Sequence, residues 1–181
     1  NYVHGIFNFA NKDKYRLLCS NESSLPLFSR DWWLDAACGE TKWDVLLAEE
    51  KGKIRAAMPL YIPHEGVVSM PVYTQTMGPW FTPEPKDAKY TRTLGQRQAI
   101  CKEFIDILKA YPHFLQNFNY RITDWLPFYW EGYKQTTRYT YLLNNIQDEN
   151  LLWENMSPNI RRNITKAKEK FLITTRKGIS V

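Results

Sequence analysis

Cysteine is scarce in this 181-residue chain: Cys19, Cys38 and Cys101 are the only three, and none forms a CxxC pair. An odd, scattered set argues against a disulfide framework or a zinc site, and leads us to expect a reducing, cytoplasmic setting. The three histidines, His4, His64 and His113, are equally solitary. With no Cys, Asp or Glu at ligand spacing, no metal is expected. Glycine is sparse too, at eight residues. Neither GxxxxGK[ST] nor GxGxxG occurs, which removes the P-loop and Rossmann readings, and there is no GxSxG elbow for a nucleophilic serine. No apolar run approaches the roughly 18 residues that a transmembrane helix needs. The opening NYVHGIFNFANKDKYRLL lacks the basic start, long apolar run and small-residue cleavage site of a signal peptide. We find no internal repeat and no low-complexity tract.

The rest of the composition is that of a globular protein, 44% hydrophobic and 24% charged. Residues 1–181 suit a single domain large enough to bury a core. The net charge is +5, and its placement is uneven. From Arg161 to Lys170 there are five Lys or Arg and one acid, a local balance of +4 near the C-terminal end.

SRDWWLDAACG reads as a short helix with Ser29 as N-cap, Asp31 at its positive start and Gly39 just past its end. WDVLLAEEKGKIRAAMPLYIP reads as a β-hairpin turning at Lys51-Gly52, with Ile54, Ala56, Met58 and Leu60 on one face. Pro59 cannot donate to a ladder, so it marks an edge or a bulge. QRQAICKEFIDILKAY is the strongest helix, with Ile100, Phe104, Ile107, Leu108 and Tyr111 on one face and Pro112 ending it. Strands are expected at HFLQNFNYRIT, at TTRYTYLLNNI and at the terminal FLITTRKGISV. Asp148 is placed to cap a short helix, ENLLWENM. A basic helix over 157–171 starts with Ser157 as N-cap and Pro158 at its first position. The resulting order (strand, helix, hairpin, strand, helix, two strands, helices) indicates an α/β or α+β fold around a mixed sheet.

Three stretches invite a functional reading. In QTMGPW, Gln75, Thr76 and Trp80 offer polar handles and one flat ring beside a Gly-Pro turn; the alternative is a tight strand exit with Trp80 packed inward. In the basic helix, Arg161 and Arg162 would contact phosphate, against the plainer reading of a solvated face. The third stretch is DWLPFYWEGYKQTTRYTY, where seven of eighteen residues are aromatic. Its first part is read as a loop whose Trp125, Tyr129 and Trp130 wall a cleft. Its second part, from Gln135 onward, is read as a core strand. Asn117, Asn119 and Tyr120 lie on the preceding strand. Arg138 is the natural partner for a carboxylate or phosphate, and Tyr139 would position an amine or act as a weak acid.

SRDWWLDAACGE, WDVLL, IRAAMPLY, TQTMGPW, QNFNYRITDWLPFYWEGYKQTTRYTY and SPNIRRNITKAKEK together resemble the FemAB-type branch of the GNAT superfamily. Within it they resemble particularly the bacterial acetyltransferase-like proteins related to the Fem peptidyltransferases. The resemblance covers Ser29 to Lys170 and rests on the order of segments rather than on one signature. It implies a GNAT-like mixed central β-sheet flanked by helices. It further implies transfer of an acyl or aminoacyl group from acyl-CoA or aminoacyl-tRNA to a small-molecule or peptide amine, with no tightly bound cofactor. Such proteins usually carry two modules, so the chain would be the N-terminal module, joined by a second GNAT module or by a second copy in a homodimer. Alternatively, the chain is a non-catalytic substrate-binding module, or an RNA-contacting domain. Arg92-Thr-Leu-Gly95-Gln-Arg97 resembles the superfamily's acyl-CoA pyrophosphate loop, but Arg97 replaces the final small residue, and the start of a helix is the better reading.

Overall fold

The period-two pattern around Lys51-Gly52 becomes the central hairpin. In the computed structural model, which describes residues 9–85 and 87–171, β1 (Trp43–Glu50) pairs antiparallel with β2 (Lys53–Tyr61). Lys51 and Gly52 both take positive φ, 50° and 75°, the hand of turn that matches the twist of the strands. Register runs from Trp43 opposite Tyr61 to Ala48 opposite Ala56, then shifts so that Glu49 faces Ile54. Arg55 is the extra residue of this bulge. A one-residue slip reverses the faces of a strand. Ala56, Met58 and Leu60 therefore share one core cluster as their spacing predicts, while Ile54 packs with the opposite one. The expected common face from Ile54 to Leu60 is corrected by the bulge.

β3 (Val67–Val68) leaves this sheet, and β4 (Trp80–Phe81) returns to pair with Ala57 and Ala56 on the free edge of β2. The order is β1-β2-β4, with β3 in a separate parallel pair with β5 (His113–Phe114). Pro59 lies beyond the two β4 pairs, on a stretch of β2 that is locally an edge, as its missing N–H predicts. Its carbonyl is not left open: the Gln116 side-chain amide donates to it at 2.8 Å.

Both faces of the sheet are covered. On one, α1 (Phe9–Asn21) and α2 (Asp31–Cys38) bring Tyr15, Cys19, Leu34 and Cys38 against Trp43, Val45 and Ala57. On the other, α3 (Tyr90–Leu108) and α4 (Leu126–Trp130) bring Cys101, Phe104, Ile105, Leu108 and Phe128 against Ala56, Met58 and Leu60. The apolar face of α3 is rotated from the expected one, since Ile107 is 51% exposed while Cys101 and Ile105 are buried. α1 is a helix where an opening strand was expected; residues 1–8 lie outside the described residues. Ser29 does not cap α2. It sits in a short 3₁₀ turn, Leu27–Ser29, Arg30 takes the N-cap position without a side-chain bond, and the Ser29 carbonyl accepts from Tyr15 Oη at 2.6 Å. Gly39 ends α2 at φ 81°, as expected.

Two expected strands fail for local reasons. After Phe114 the chain pairs only once more, through a bridge between Met77 and Phe118. Asn119 then turns it, accepting from the Ile122 N–H through its carbonyl at 2.9 Å and from the Arg121 N–H through its side chain at 3.1 Å. Residues 134–145 carry no regular structure. Tyr139 and Tyr141, assigned to the core by their alternation, are 94% and 97% exposed, whereas Phe128 of the supposed cleft loop is 2% exposed. Alternation alone makes no strand where no second strand supplies a ladder.

The chain divides into two compact units, Asn1–Gln135 and Thr136–Val181. The elements above belong to the first. In the second, α5 (Glu149–Asn155) is capped by Asp148, whose side chain accepts from the Leu151 N–H at 3.0 Å. α6 (Pro158–Lys170) starts with Ser157 at its N-cap and Pro158 in its first turn, as the sequence predicts. No described residue of this unit is buried. The terminal strand expected at FLITTRKGISV falls almost wholly outside the described residues. The whole is a mixed α+β fold with six helices among the described residues, a three-stranded antiparallel sheet and a two-stranded parallel one. None of the described helices is long and apolar enough to cross a membrane.

A polar knot ties α1 and α2 to the sheet. Arg16 donates to both oxygens of Asp35, at 2.6 and 3.0 Å, and Trp43 Nε1 donates to Asp35 Oδ1 at 2.8 Å. Burial alone would raise the Asp35 carboxyl, but the bonds from Arg16 and Trp43 outweigh it and hold it below the usual carboxylate range. A depressed folded value contributes stability above the unfolded value and loses it as pH falls through the folded one. We therefore expect Asp35→Asn to lower unfolding stability by about 2 kcal/mol in urea titrations near neutral pH. The gap to the wild type should be full above roughly pH 5 and close as the solution is acidified.

Candidate functional site

Of the residues singled out for binding, Thr76, Asn117 and Asn119 are brought together, and they hold two chain segments to each other. The Met77 N–H donates to the Asn117 carbonyl at 2.7 Å, and the Asn119 N–H donates to the Met77 carbonyl at 3.0 Å. The Asn119 side-chain amide donates to Thr76 Oγ1 at 3.1 Å. Gly78 makes this approach possible. Its φ is +90°, and a Cβ there would lie 2.7 Å from the Phe118 ring. Trp80 packs inward among the residues facing α1 and α2, its Nε1 donating to Ser24 Oγ at 3.1 Å. Gln75 and Tyr120 are exposed, and Tyr120 carries the Arg121 guanidinium 5.9 Å from its ring centre. Trp125 is half-buried, edge-on to Tyr129 at 5.5 Å, while Tyr129 and Trp130 are exposed on α4. Arg138, Tyr139, Arg161 and Arg162 belong to the second unit; Arg161 Nη1 donates to the Glu154 carbonyl at 3.4 Å.

A cavity of the first unit lies beside these residues rather than among them. It has a volume of about 300 Å³ and is bounded by three segments: the chain leaving β4, the first turns of α3, and residues 121–127. Phe81, Leu94 and Pro127 give it apolar walls, and Cys101 lies on the α3 side. Four charged side chains line it: Glu84, Arg97, Arg121 and Asp124. An adjoining hollow of about 230 Å³ shares Phe81, Glu84 and Arg97. This volume is at the small end for ligand sites, enough for a metabolite rather than a large cofactor.

The sequence places each wall. Pro83 and Pro85 keep the strand exit extended, which brings Glu84 to Arg55 at 2.8 Å. α3 begins at Tyr90, so Arg97, Gln98 and Cys101 fall on successive turns of one side. Asp124 anchors the opposite wall. Its Oδ1 accepts from the Leu126 N–H at 3.1 Å, and its Oδ2 accepts from Gln98 Nε2 at 2.8 Å. The Cys101 thiol is pushed up to about 12 by burial first and by the Asp124 charge second, with Arg97 pulling the other way. It is a protonated wall residue at neutral pH, not a nucleophile. Arg92 to Arg97 lie inside α3, and Gly95 faces open space. α3 starts ahead of the Gln96 expected from the sequence, so this segment is the body of the helix rather than its entry, and N–H groups past the first turn bond within the helix instead of cradling a phosphate. Among the described residues, no group of three or more His, Cys, Asp or Glu is placed to hold a metal ion.

No family model, curated protein or solved structure matches this chain. The chemistry must be read from the cleft itself. Its lining combines guanidinium and carboxylate groups with apolar side chains, a mixture suited to recognition of a small polar molecule. Sequence reasoning missed Arg97, Asp124 and Gln98 because Arg97 and Phe81 meet only through tertiary folding. The one available signal was the side-by-side placement of Arg97 and Gln98 on a strong helix.

Gly78→Ala should lower stability by about 2 kcal/mol or more in thermal or denaturant unfolding, through positive-φ strain and overlap with Phe118. Gly95→Ala, at an open helical position, should be neutral or stabilising by up to about 1 kcal/mol.

Proposed function

We propose that this chain is a module of a Fem-type acyl- or aminoacyl-transferase with a GNAT-like fold, and that its cleft recognises the amine acceptor. The observation that carries the reading is the layered arrangement of the first unit. A hairpin-centred antiparallel sheet lies between α1 and α2 on one face and α3 on the other, with a ligand-sized cleft at the start of α3. The helix at DWWLDAAC, the hairpin of WDVLL and IRAAMPLY and the helix at PNIRRNITKAKEK lie in segments that resemble the Fem family. Acyl transfer to an amine asks little covalent chemistry of a protein: the donor carbonyl must be polarised, the acceptor positioned, and one amine proton removed. Asp124 is suited to orient an ammonium or amine, since it keeps lone pairs beyond the two hydrogen bonds it accepts. The donor would be acyl-CoA or an aminoacyl-tRNA.

One observation favours a narrower reading, acceptor binding without turnover by this chain alone. The segment resembling the CoA pyrophosphate loop is helical, so its backbone does not cradle a donor phosphate.

The test uses the purified chain with acetyl-CoA or alanyl-tRNA and amino-acid or dipeptide acceptors. Calorimetry reads donor binding, and mass spectrometry reads N-acylated product. Product above the uncatalysed background supports the transferase reading. Acceptor binding without product supports the recognition module. Absence of donor binding, acceptor binding and product removes both.

A further inference from the structure

We propose that the cleft at the start of α3 binds a small zwitterion, an amino acid or short peptide with a free carboxylate, and that Arg97 receives that carboxylate. The inference deepens the acceptor-recognition reading and rests on it for the location of the site, not for any transfer step.

Charge pairing on the cleft walls points to this ligand. Glu84 is already matched by Arg55 at 2.8 Å. Arg121 is exposed at the rim and donates to the Ser24 carbonyl at 3.1 Å. Arg121, Asp124 and Arg97 have no ionic partner among the described residues, and the last two are the less exposed, opposite pair. Asp124 accepts only from neutral donors, Gln98 and the Leu126 N–H. Arg97 has no carboxylate at ion-pair distance, and its Nε is buried with no hydrogen-bond acceptor. That Nε is closed to solvent, so a ligand would meet the guanidinium through its terminal Nη groups.

The pose of Arg97 favours a planar acceptor. Its guanidinium lies over the Phe81 ring, 5.1 Å from the centroid. A guanidinium can hold a planar carboxylate through two parallel N–H···O bonds. Arg97 and Asp124 both line the cleft, so the carboxylate and the ammonium of one ligand would each find an opposite charge there.

The experiment is a ¹⁵N-NMR titration of the full chain with L-alanyl-L-alanine, its C-terminal amide, its N-acetyl derivative and inorganic phosphate. We expect saturable shifts at Arg97 Nε–H, Gln98 and residues 121–127 with the free dipeptide at millimolar concentration. Loss of the ligand's carboxylate should weaken binding roughly tenfold or more. In Arg97→Gln the dipeptide should bind no better than its amide, with chemical shifts away from the cleft unchanged. Arg97→Lys should restore part of the preference. The proposal is overturned if the dipeptide gives no saturable shift at the cleft, if dipeptide and amide bind the wild type equally, if phosphate binds more tightly than the dipeptide, or if Arg97→Gln keeps the carboxylate preference.

Discussion

The β1–β2 hairpin, and the bulge within it, is the constraint on which the first unit depends. A sheet buried on both faces must sort its side chains between two cores, and the slip between Ala48 and Glu49 performs that sorting near the turn. The same slip aims the Arg55 carbonyl away from β1, where it accepts from the Thr82 N–H at 2.9 Å. Thr82 Oγ1 donates to the neighbouring Ile54 carbonyl at 2.8 Å. These two bonds hold the chain leaving β4 against the sheet, and the Arg55 side chain then neutralises Glu84 on the cleft wall. A backbone irregularity in a core strand thus sets the charge balance of a surface cleft.

Much of this architecture is legible in the residues. Regular alternation around Lys51-Gly52 gives the hairpin, Asp148 and Ser157-Pro158 give two helix starts, and Gly39 gives a helix end, because each is a local signal with a local cause. Pro59 also carries its meaning in its covalent structure. What escapes the sequence depends on partners distant in the chain. Nothing local announces that Arg55 is an extra residue, or that Thr137 to Leu143 lacks a neighbouring strand. α1 is hard to see because its burial rests on Tyr15 and on Lys12, whose ammonium lies 4.1 Å from the Trp43 ring centre and donates to the Glu40 carbonyl.

The aromatic segment from Asp124 to Tyr141 shows how composition misleads. Phe128 serves the core through a short helix, meeting Phe118 at 5.0 Å and Phe114 at 6.4 Å. Tyr133 closes the group edge-on to Phe128 at 5.6 Å. The aromatics needed for packing therefore precede Gln135, and those after it are exposed. The cleft draws on this segment through Asp124 and Pro127 rather than through its rings. Its recognition is carried by charge geometry, which a count of aromatics does not register.

Pro59 has a consequence of another kind. An exposed strand edge offers a row of donors and acceptors on which a foreign strand can crystallise into an aggregate. Here the edge beyond β4 lacks a donor at Pro59, and Gln116 occupies the carbonyl at the same residue. Pro59 is itself buried, so the central strand of the fold is closed to templated association there both by chemistry and by cover.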